Sequence, residues 1–245
     1  MNLLDINISN INDYKYYKIV CILYFIFIVI IFNTNILSYI FENNISDLEL
    51  ELFIYAILFC GLVFLIIYPF IKIKLYKLST KKKLNNEKLY DPLQTIKINK
   101  NVEKMLYTLN ELLPILFIIG YIYLCIYNNH INAISYFLIG LSIVFIIKCV
   151  LSFSTILPDS SGKCQIKLLN GGCNDLLCSG HFSIVFLIYL LIIKYKLVNK
   201  NMNNSLLLSV ILYGTIPIIT KKHYTIDILV AMIVVLLVNN YIPKK

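Results

Sequence analysis

Two histidines and one aspartate stand where two long apolar runs of the chain begin. His223 precedes Asp227 by four residues at the start of the last run, and His181 opens an earlier run directly after Ser179 and Gly180. Residues four apart share one face of a helix, so Asp227 can hold one imidazole nitrogen of His223 and leave the other for a substrate. This spacing is typical of a nucleophile with its orienting carboxylate. The structural alternative is a pair that only caps the helix.

The start of the His181 run suits an anion. The first N–H groups of a helix have no partner within it, and a preceding glycine lets a phosphate approach them. A histidine here could equally be an interfacial residue. One apolar run separates those that begin at His181 and Tyr224, so both starts face the same side of the membrane. Two histidines, a carboxylate and an anion cradle at one depth predict phosphoryl transfer through a phosphohistidine.

The composition predicts the scaffold that must position these residues. The chain is 59% hydrophobic and 14% charged, whereas soluble domains average about 25% charged residues. Several runs approach the roughly 20 residues that cross a bilayer, and they lack the alternation of a β-barrel. We therefore predict an all-α, polytopic membrane protein. The net charge of +9 is assigned to lysines that flank the spans, so no nucleic-acid partner is expected.

Six apolar runs form the predicted core domain, residues 51–245. The predicted spans are Leu52–Ile71, Met105–Tyr127, Ile131–Leu151, His181–Leu197, Leu206–Ile219 and Tyr224–Tyr241. The N-terminal segment, residues 1–50, contains a further apolar run, Ile19–Ile40. Polar residues interrupt this run, so whether it forms an extra transmembrane helix is left open. The lysine-rich segment 72–104 is long enough for an amphipathic surface helix. Lys148 lies near the end of its span and is expected to extend to the interface.

The chain has seven cysteines, and none of them predicts a cofactor. Those inside apolar runs are expected to act as small packing residues: Cys21, Cys60, Cys125 and Cys149. A Cys164–Cys173 disulfide would require an oxidising compartment. Cys173, Cys178 and His181 match no common zinc spacing, so no metal is expected.

The motifs around both histidines resemble those of the sphingomyelin synthase family, within the type 2 phosphatidic acid phosphatase superfamily. The family signature Cys-Gly-Asp-aromatic-hydrophobic-hydrophobic-Ser-Gly-His-Thr compares with CNDLLCSGHF at 173–182. The second signature, His-Tyr-Thr/Ser-hydrophobic-Asp, is matched throughout by HYTID at 223–227. Weaker similarities are Lys148-Cys149 for an Arg-Cys pair, STILP at 154–158 for Thr-Thr-Leu-Pro, and Glu111 where the family has Glu-Ile-Asn.

This resemblance implies a lipid phosphotransferase. His223 would attack the phosphorus of a phospholipid while Asp227 holds its ring, and His181 would protonate the departing diacylglycerol. The head group, most simply phosphocholine, would then pass to the primary hydroxyl of ceramide, with His181 as the base. The implied partners are a phospholipid donor, a ceramide acceptor and membrane lipid. A homo-oligomer is left open.

The resemblance also implies substrate contacts. Ser179 and Gly180 would hold the phosphate, Asp175 and Glu111 would contact the head group or its neighbours, and Tyr224 could stack on a choline.

Departures from the family pattern leave the head group open among choline, ethanolamine and inositol. Asn174, Leu176 and Phe182 replace a glycine, an aromatic residue and a threonine, and all three are expected to line the substrate site. The phosphatases' basic first motif and their Ser-Arg before the second histidine are missing. Lys221 and Lys222 either replace that positive charge or simply flank the membrane.

The resemblance and the lysines disagree on membrane orientation. The family's site faces the lumen or the exterior, which implies a Golgi, endoplasmic reticulum or plasma membrane protein. Ten lysines lie in segment 72–104, on the same side as the histidines, and the positive-inside rule would place that side in the cytosol. We follow the resemblance, since AT-rich codon usage can inflate the lysine count.

Three alternatives to the transferase remain. The first is a lipid phosphate phosphatase or phospholipase C-type hydrolase, with water as the acceptor. The second is a catalytically degenerate protein that only binds lipid. The third, a transporter or channel, requires charges along the interior of the bundle, whereas here they cluster at one face.

Overall fold

The computed structural model describes residues 46–71, 89–96, 98–155 and 177–243, and the described residues are helical apart from short connections. The helices are α1 (Asp47–Gly61, continued by a π-helix, Leu62–Ile67), α2 (Lys100–Tyr127), α3 (Ile131–Ser154), α4 (Gly180–Lys194), α5 (Lys200–Ile219) and α6 (Thr225–Tyr241). The all-α, polytopic prediction is confirmed. The run Ile19–Ile40 lies outside the described residues, so the boundary near residue 50 stays a prediction.

Four of the six helices are long and apolar enough to cross a membrane by themselves. They are the helices that contain Leu48–Ile71, Lys100–Tyr127, Ile131–Ser154 and Lys200–Ile219. The other two, α4 and α6, have 15 and 17 residues. At about 1.5 Å per residue, α4 covers only about 22 Å of a hydrocarbon layer that is about 30 Å thick. The two helices that carry the histidine motifs are therefore the shortest ones.

Helix α4 lies at the centre of the bundle. It packs against α2, α3, α5 and α6, and most of its side chains are buried. The large exposed apolar side chains lie instead mainly on α1, α2, α5 and α6, as expected of surfaces that face lipid. His181 consequently stands at the top of the most enclosed helix.

Polar caps set the helix starts, and they explain two errors in the predicted bounds. Asn99 accepts a hydrogen bond from Asn101 N at the start of α2, five residues before the predicted start at Met105. Asn199 accepts one from Met202 N, so α5 begins at Lys200 rather than at residue 206. Side-chain caps satisfy N–H groups that have no intrahelical partner.

Three helices end in the same turn. In α2, α4 and α5 one residue with positive φ follows the last turn, and the next N–H reaches back to the carbonyl five positions earlier, as in a Schellman motif. The bonds run from His130, Leu197 and Lys222 to the carbonyls of Cys125, Ile192 and Pro217, at 2.8, 3.0 and 2.9 Å. This turn ends α4 at Lys194, three residues before the predicted end.

The connections place all the starts of interest at one end of the bundle. We call the end that holds the starts of α2, α4 and α6 the histidine end, and the end that holds the starts of α3 and α5 the opposite end. The described part of segment 72–104 lies at the histidine end and contains a 3-10 turn, Pro92–Thr95, followed by the start of α2. The predicted surface helix is not seen there.

Candidate active site

His223 and Asp227 form a hydrogen-bonded pair at the start of α6. His223 Nδ1 lies 3.2 Å from Asp227 Oδ2, and the same oxygen accepts a 2.8 Å bond from the Tyr224 N–H. The Asp227 side chain is fully buried, and that of His223 is 13% exposed. Because Nδ1 is engaged, Nε2 is the ring nitrogen left for a substrate. The predicted pairing is present, and its catalytic role stays a prediction.

The turn after α5 fixes the backbone in front of this pair. The N–H groups of Lys222 and His223 both donate to the Pro217 carbonyl, at 2.9 and 3.0 Å. Lys221 adopts the positive φ, 56°, that reverses the chain between them and α5. His223 is therefore held from both sides, by the turn before it and by Asp227 after it.

His181 stands at the start of α4 beside a carboxylate from α2. Its Nε2 lies 3.5 Å from Glu111 Oε2, and the two side chains are 39% and 46% exposed. Ser179 caps the helix, since its hydroxyl accepts from Phe182 N at 3.4 Å. The Glu111 carboxylate can therefore orient the His181 ring, as a group that transfers protons requires.

The two helix starts are joined through the backbone. Ser179 N donates to the Asp227 carbonyl at 3.3 Å, so the residue that caps α4 contacts the first turn of α6. The charges that act on the His181 ring come from Glu111, His223 and two lysines, Lys222 and Lys148. The structure thus brings together the two motifs that lie about forty residues apart in the chain.

Lys148 does not extend to the interface, so that expectation is wrong. The residue is 3% exposed, and its Nζ donates to the Cys178 carbonyl at 2.5 Å. The side chain turns inward because this carbonyl, just before the start of α4, offers an acceptor inside the bundle. An ionisable residue within an apolar run is itself a signal of function, and it identifies Lys148 as a second cation near His181.

Lys222 contacts the ionisable side chains around His181 and does not only flank a membrane span. Its ammonium group binds Glu111 Oε1 and lies 3.3 Å from the centroid of the Tyr107 ring. Its side chain is 17% exposed. Glu111 therefore contacts His181 through one oxygen and Lys222 through the other.

Packing explains Gly180 and corrects the position of Phe182. A Cβ on Gly180 would come within 3.0 Å of the Phe145 ring, and one on Gly214 within 2.9 Å of Phe182. Phe182 is 3% exposed and belongs to the hydrophobic core. It does not line the substrate site, because the residue after His181 points about 100° around the helix. The departure from threonine therefore changes the α4–α5 contact.

The remaining candidates are less central in the described part of the chain. Tyr224 is 2% exposed, and its hydroxyl accepts from Leu89 N at 3.3 Å. Beside it lies a hollow of about 390 Å³ lined by residues 89–93 and 224–226, to which neither histidine contributes. Asp175 and the Cys164–Cys173 pair lie outside the described residues, and no cluster of three metal-ligating side chains occurs within them.

One family model matches the chain. The model described as PAP2 superfamily C-terminal matches residues 172–243, which take in both histidine motifs and helices α4 to α6. The match supports membership in the PAP2 superfamily, whose members are phosphatases and phosphotransferases that act on lipid phosphates in membranes. No curated protein and no solved structure matches the chain. The fold, the site and this match together support a membrane-embedded enzyme of lipid phosphate chemistry.

Proposed function

We propose that the protein is a sphingolipid synthase, which transfers a phospholipid head group, phosphocholine in the first instance, to ceramide through a phosphohistidine. One observation carries the proposal. The His223–Asp227 pair and the His181–Glu111 pair stand at neighbouring helix starts that are joined by the bond from Ser179 N to the Asp227 carbonyl. One pair is arranged as a nucleophile and the other as an acid and base.

In the first half-reaction, His223 Nε2 attacks the phosphorus of the donor phospholipid. The P–N bond forms as the bond from phosphorus to the diacylglycerol oxygen breaks, and His181 gives its proton to that oxygen. Asp227 accepts the Nδ1–H bond and stabilises the positive charge that develops on the His223 ring. Glu111 holds the His181 ring during this step.

In the second half-reaction, the primary hydroxyl of ceramide attacks the phosphohistidine. His181, now neutral, takes the hydroxyl proton, the new P–O bond forms, and the P–N bond breaks. His223 is thereby regenerated and His181 is protonated for the next cycle. General acid–base assistance of this kind contributes about 10²–10⁴-fold.

Two lysines supply positive charge for the phosphate. Lys222 and Lys148 both act electrostatically on His181, although Lys148 lies on α3 and Lys222 in the turn between α5 and α6. Cations and backbone N–H groups around a transferring phosphoryl group stabilise its charge in the transition state. Lys222 would then take the place of the basic residue that phosphatases carry before the second histidine.

Hydrolysis is the second candidate, and the exposure of the acid–base pair favours it. The side chains of His181 and Glu111 are 39% and 46% exposed, so water can reach the group that would activate an acceptor. The same two histidines would then produce a lipid phosphate phosphatase or a phospholipase C-type hydrolase. In the phospholipase C-type reaction only the acceptor in the second half-reaction differs, whereas a phosphatase would also take a phosphomonoester lipid as the donor.

The test uses purified protein in vesicles that contain fluorescent ceramide and mixed phospholipid donors. The expected result is a new phosphosphingolipid whose head group identifies the donor, and its complete loss in His223→Ala. His130→Ala is the matched control, because His130 lies at the opposite end of the bundle and should leave transfer intact.

Two other outcomes would decide against the synthase, and a third against its phosphohistidine. Release of phosphate or phosphocholine without a ceramide product, lost in His223→Ala, would establish the hydrolase. Lipid binding without any product would indicate a degenerate, lipid-binding protein. Equal transfer by His223→Ala and by the intact protein would contradict the phosphohistidine.

We also propose that the histidine end faces the lumen or the exterior, in an internal or plasma membrane. A cysteine introduced for the exposed Lys221 and probed in sealed vesicles of known sidedness tests this. If a membrane-impermeant reagent labels this cysteine only from the cytosolic side, the histidine end faces the cytosol. That result would contradict the proposed orientation and agree with the lysine distribution.

A further inference from the structure

The segment just before α2 contacts the start of α6 through several hydrogen bonds, and nothing in the two histidine motifs accounts for them. We call residues 89–96 the strap. Within it, Asp91 is 8% exposed although it belongs to the lysine-rich region between the first two spans. A carboxylate is seldom this buried unless it is paired, so its partners are informative.

Those partners belong to α6. Thr225 N donates to Asp91 Oδ2 at 2.6 Å, and the Thr225 hydroxyl contacts Asp91 Oδ1 at 3.0 Å. Thr225 is the first residue of α6 and stands between His223 and Asp227 in sequence. Asp91 therefore caps, from a distant part of the chain, the helix turn that carries the candidate nucleophile and its orienting carboxylate.

Two further bonds from the strap reach the same turn. Gln94 Nε2 donates to the His223 carbonyl at 2.9 Å, and Leu89 N donates to the Tyr224 hydroxyl at 3.3 Å. Each of the three consecutive residues His223, Tyr224 and Thr225 is thus held by one residue of the strap. Asp91 itself contacts neither ring nitrogen of His223.

We infer that Asp91 is a positioning residue, which fixes the first turn of α6 and through it the direction of the His223 ring. Among the described residues, two carboxylates bind the N–H groups of this turn, Asp91 on Thr225 N and Asp227 on Tyr224 N. If Asp91 is lost, Asp227 must hold both the fraying turn and the imidazole. The effect of Asp91 on turnover rests on the proposed function, whereas its role in fixing the first turn of α6 does not.

The experiment compares Asp91→Ala and Asp91→Asn with the intact protein. We expect Asp91→Ala to lower kcat by up to about a hundredfold, the scale of a small misplacement of a reacting group, with KM changed less than about twofold. Asp91→Asn keeps an oxygen for Thr225 N and should recover part of the loss. Thr225→Val removes only the hydroxyl contact and should give a smaller loss, which keeps the test decisive if Asp91→Ala fails to fold.

The matched control is Asn199→Ala. Asn199 also caps a helix, α5, but at the opposite end, so its loss should lower the melting temperature without lowering kcat. Equal losses of kcat in Asp91→Ala and Asn199→Ala would mean that Asp91 acts only as a stabilising helix cap, which would overturn the inference. An unchanged kcat in Asp91→Ala would overturn it as well.

A second readout does not depend on the reaction. Diethyl pyrocarbonate modification of His223, measured by mass spectrometry relative to His130 in the same molecule, reports how firmly the ring is held. We expect this ratio to rise several-fold in Asp91→Ala and to stay constant in Asn199→Ala. If the intact protein shows no activity, the proposed function fails while this ratio still decides the positional role. An unchanged ratio would reject that role.

Discussion

The two ends of the bundle use polar residues differently. At the opposite end they satisfy helix carbonyls: Lys194 Nζ binds the Asn239 and Ile242 carbonyls, and the Tyr121 hydroxyl donates to the Ala133 carbonyl at 2.7 Å. A cation at a helix C-terminus stabilises the helix directly. These contacts hold the bundle together.

At the histidine end, ionisable side chains contact one another instead. Glu111 lies between His181 and Lys222, and Asp227 is shared between the His223 ring and the Tyr224 N–H. The second oxygen of Asp227 is buried and has no hydrogen-bond partner among the described residues. Three asparagines at the opposite end also carry a buried oxygen without a partner among the described residues, so the two ends differ in their ion pairs and not in unsatisfied acceptors. Ionisable side chains in mutual contact are a signal of function, so we propose that this end serves the chemistry, whereas the contacts at the other end stabilise the bundle.

Amidation of one carboxylate at each end gives the largest expected contrast. In Asp227→Asn the group that accepts from both the Tyr224 N–H and the His223 ring loses its negative charge, so we expect turnover to fall about 10³–10⁴-fold, as when an orienting aspartate is amidated in other histidine-dependent sites. Turnover of the purified variant in vesicles measures this.

The control amidation is Glu49→Gln at the opposite end. Glu49 Oε1 accepts from Asn132 Nδ2 at 2.5 Å, and an amide oxygen can accept the same bond. Turnover should therefore stay within about twofold of the intact protein. A comparable loss in both variants would contradict the division of roles between the two ends.

Removing the ammonium group of one lysine at a time distinguishes the roles of two neighbouring lysines. Lys222→Met removes the contact with Glu111, and a charge-assisted hydrogen bond is worth about 1.5–3 kcal/mol, so we expect at least about a tenfold loss of turnover. Lys221→Met, one residue earlier and exposed, should change turnover little. Steady-state rates at saturating donor lipid distinguish the two variants. Equal losses of turnover in both would mean that Lys222 only flanks the membrane.

The smallest effect on activity is expected for Lys194→Met. The substitution removes a cation from carbonyls at the end of α6, at a cost of about 1–2 kcal/mol in the free energy of unfolding. The melting temperature should fall by a few degrees, to be measured by thermal unfolding in detergent, while turnover per folded molecule stays constant. A large loss of turnover at an unchanged melting temperature would mean that the opposite end takes part in catalysis and would contradict the comparison.

Much of this arrangement follows from local sequence. Apolar runs of about twenty residues predict the helices because a bilayer leaves the backbone no other way to satisfy its hydrogen bonds. The four-residue spacing of His223 and Asp227 predicts their contact, although His223 makes it from the turn just before the Tyr224 cap of α6 and not from within the helix. Helix ends are less predictable, and α4 ends three residues early because Lys196 adopts a left-handed conformation, φ 53°, that its residue type does not favour.

Contacts between distant segments required the tertiary structure. Nothing in the lysine-rich region marks Asp91 as a partner of Thr225, and nothing local tells Lys222, which binds Glu111, from Lys221. Phe182 was expected at the substrate site, but its position on α4 turns it toward Gly214. The apolar runs and the motif spacing therefore predict the helices, the shared end at which both histidine motifs lie and the His223–Asp227 pair, because these depend on periodicity and on the apolar solvent. The packing of the helices sets which carboxylates and ammonium groups surround the two histidines, because such contacts join distant residues, as the Glu111–Lys222 pair does across 111 positions.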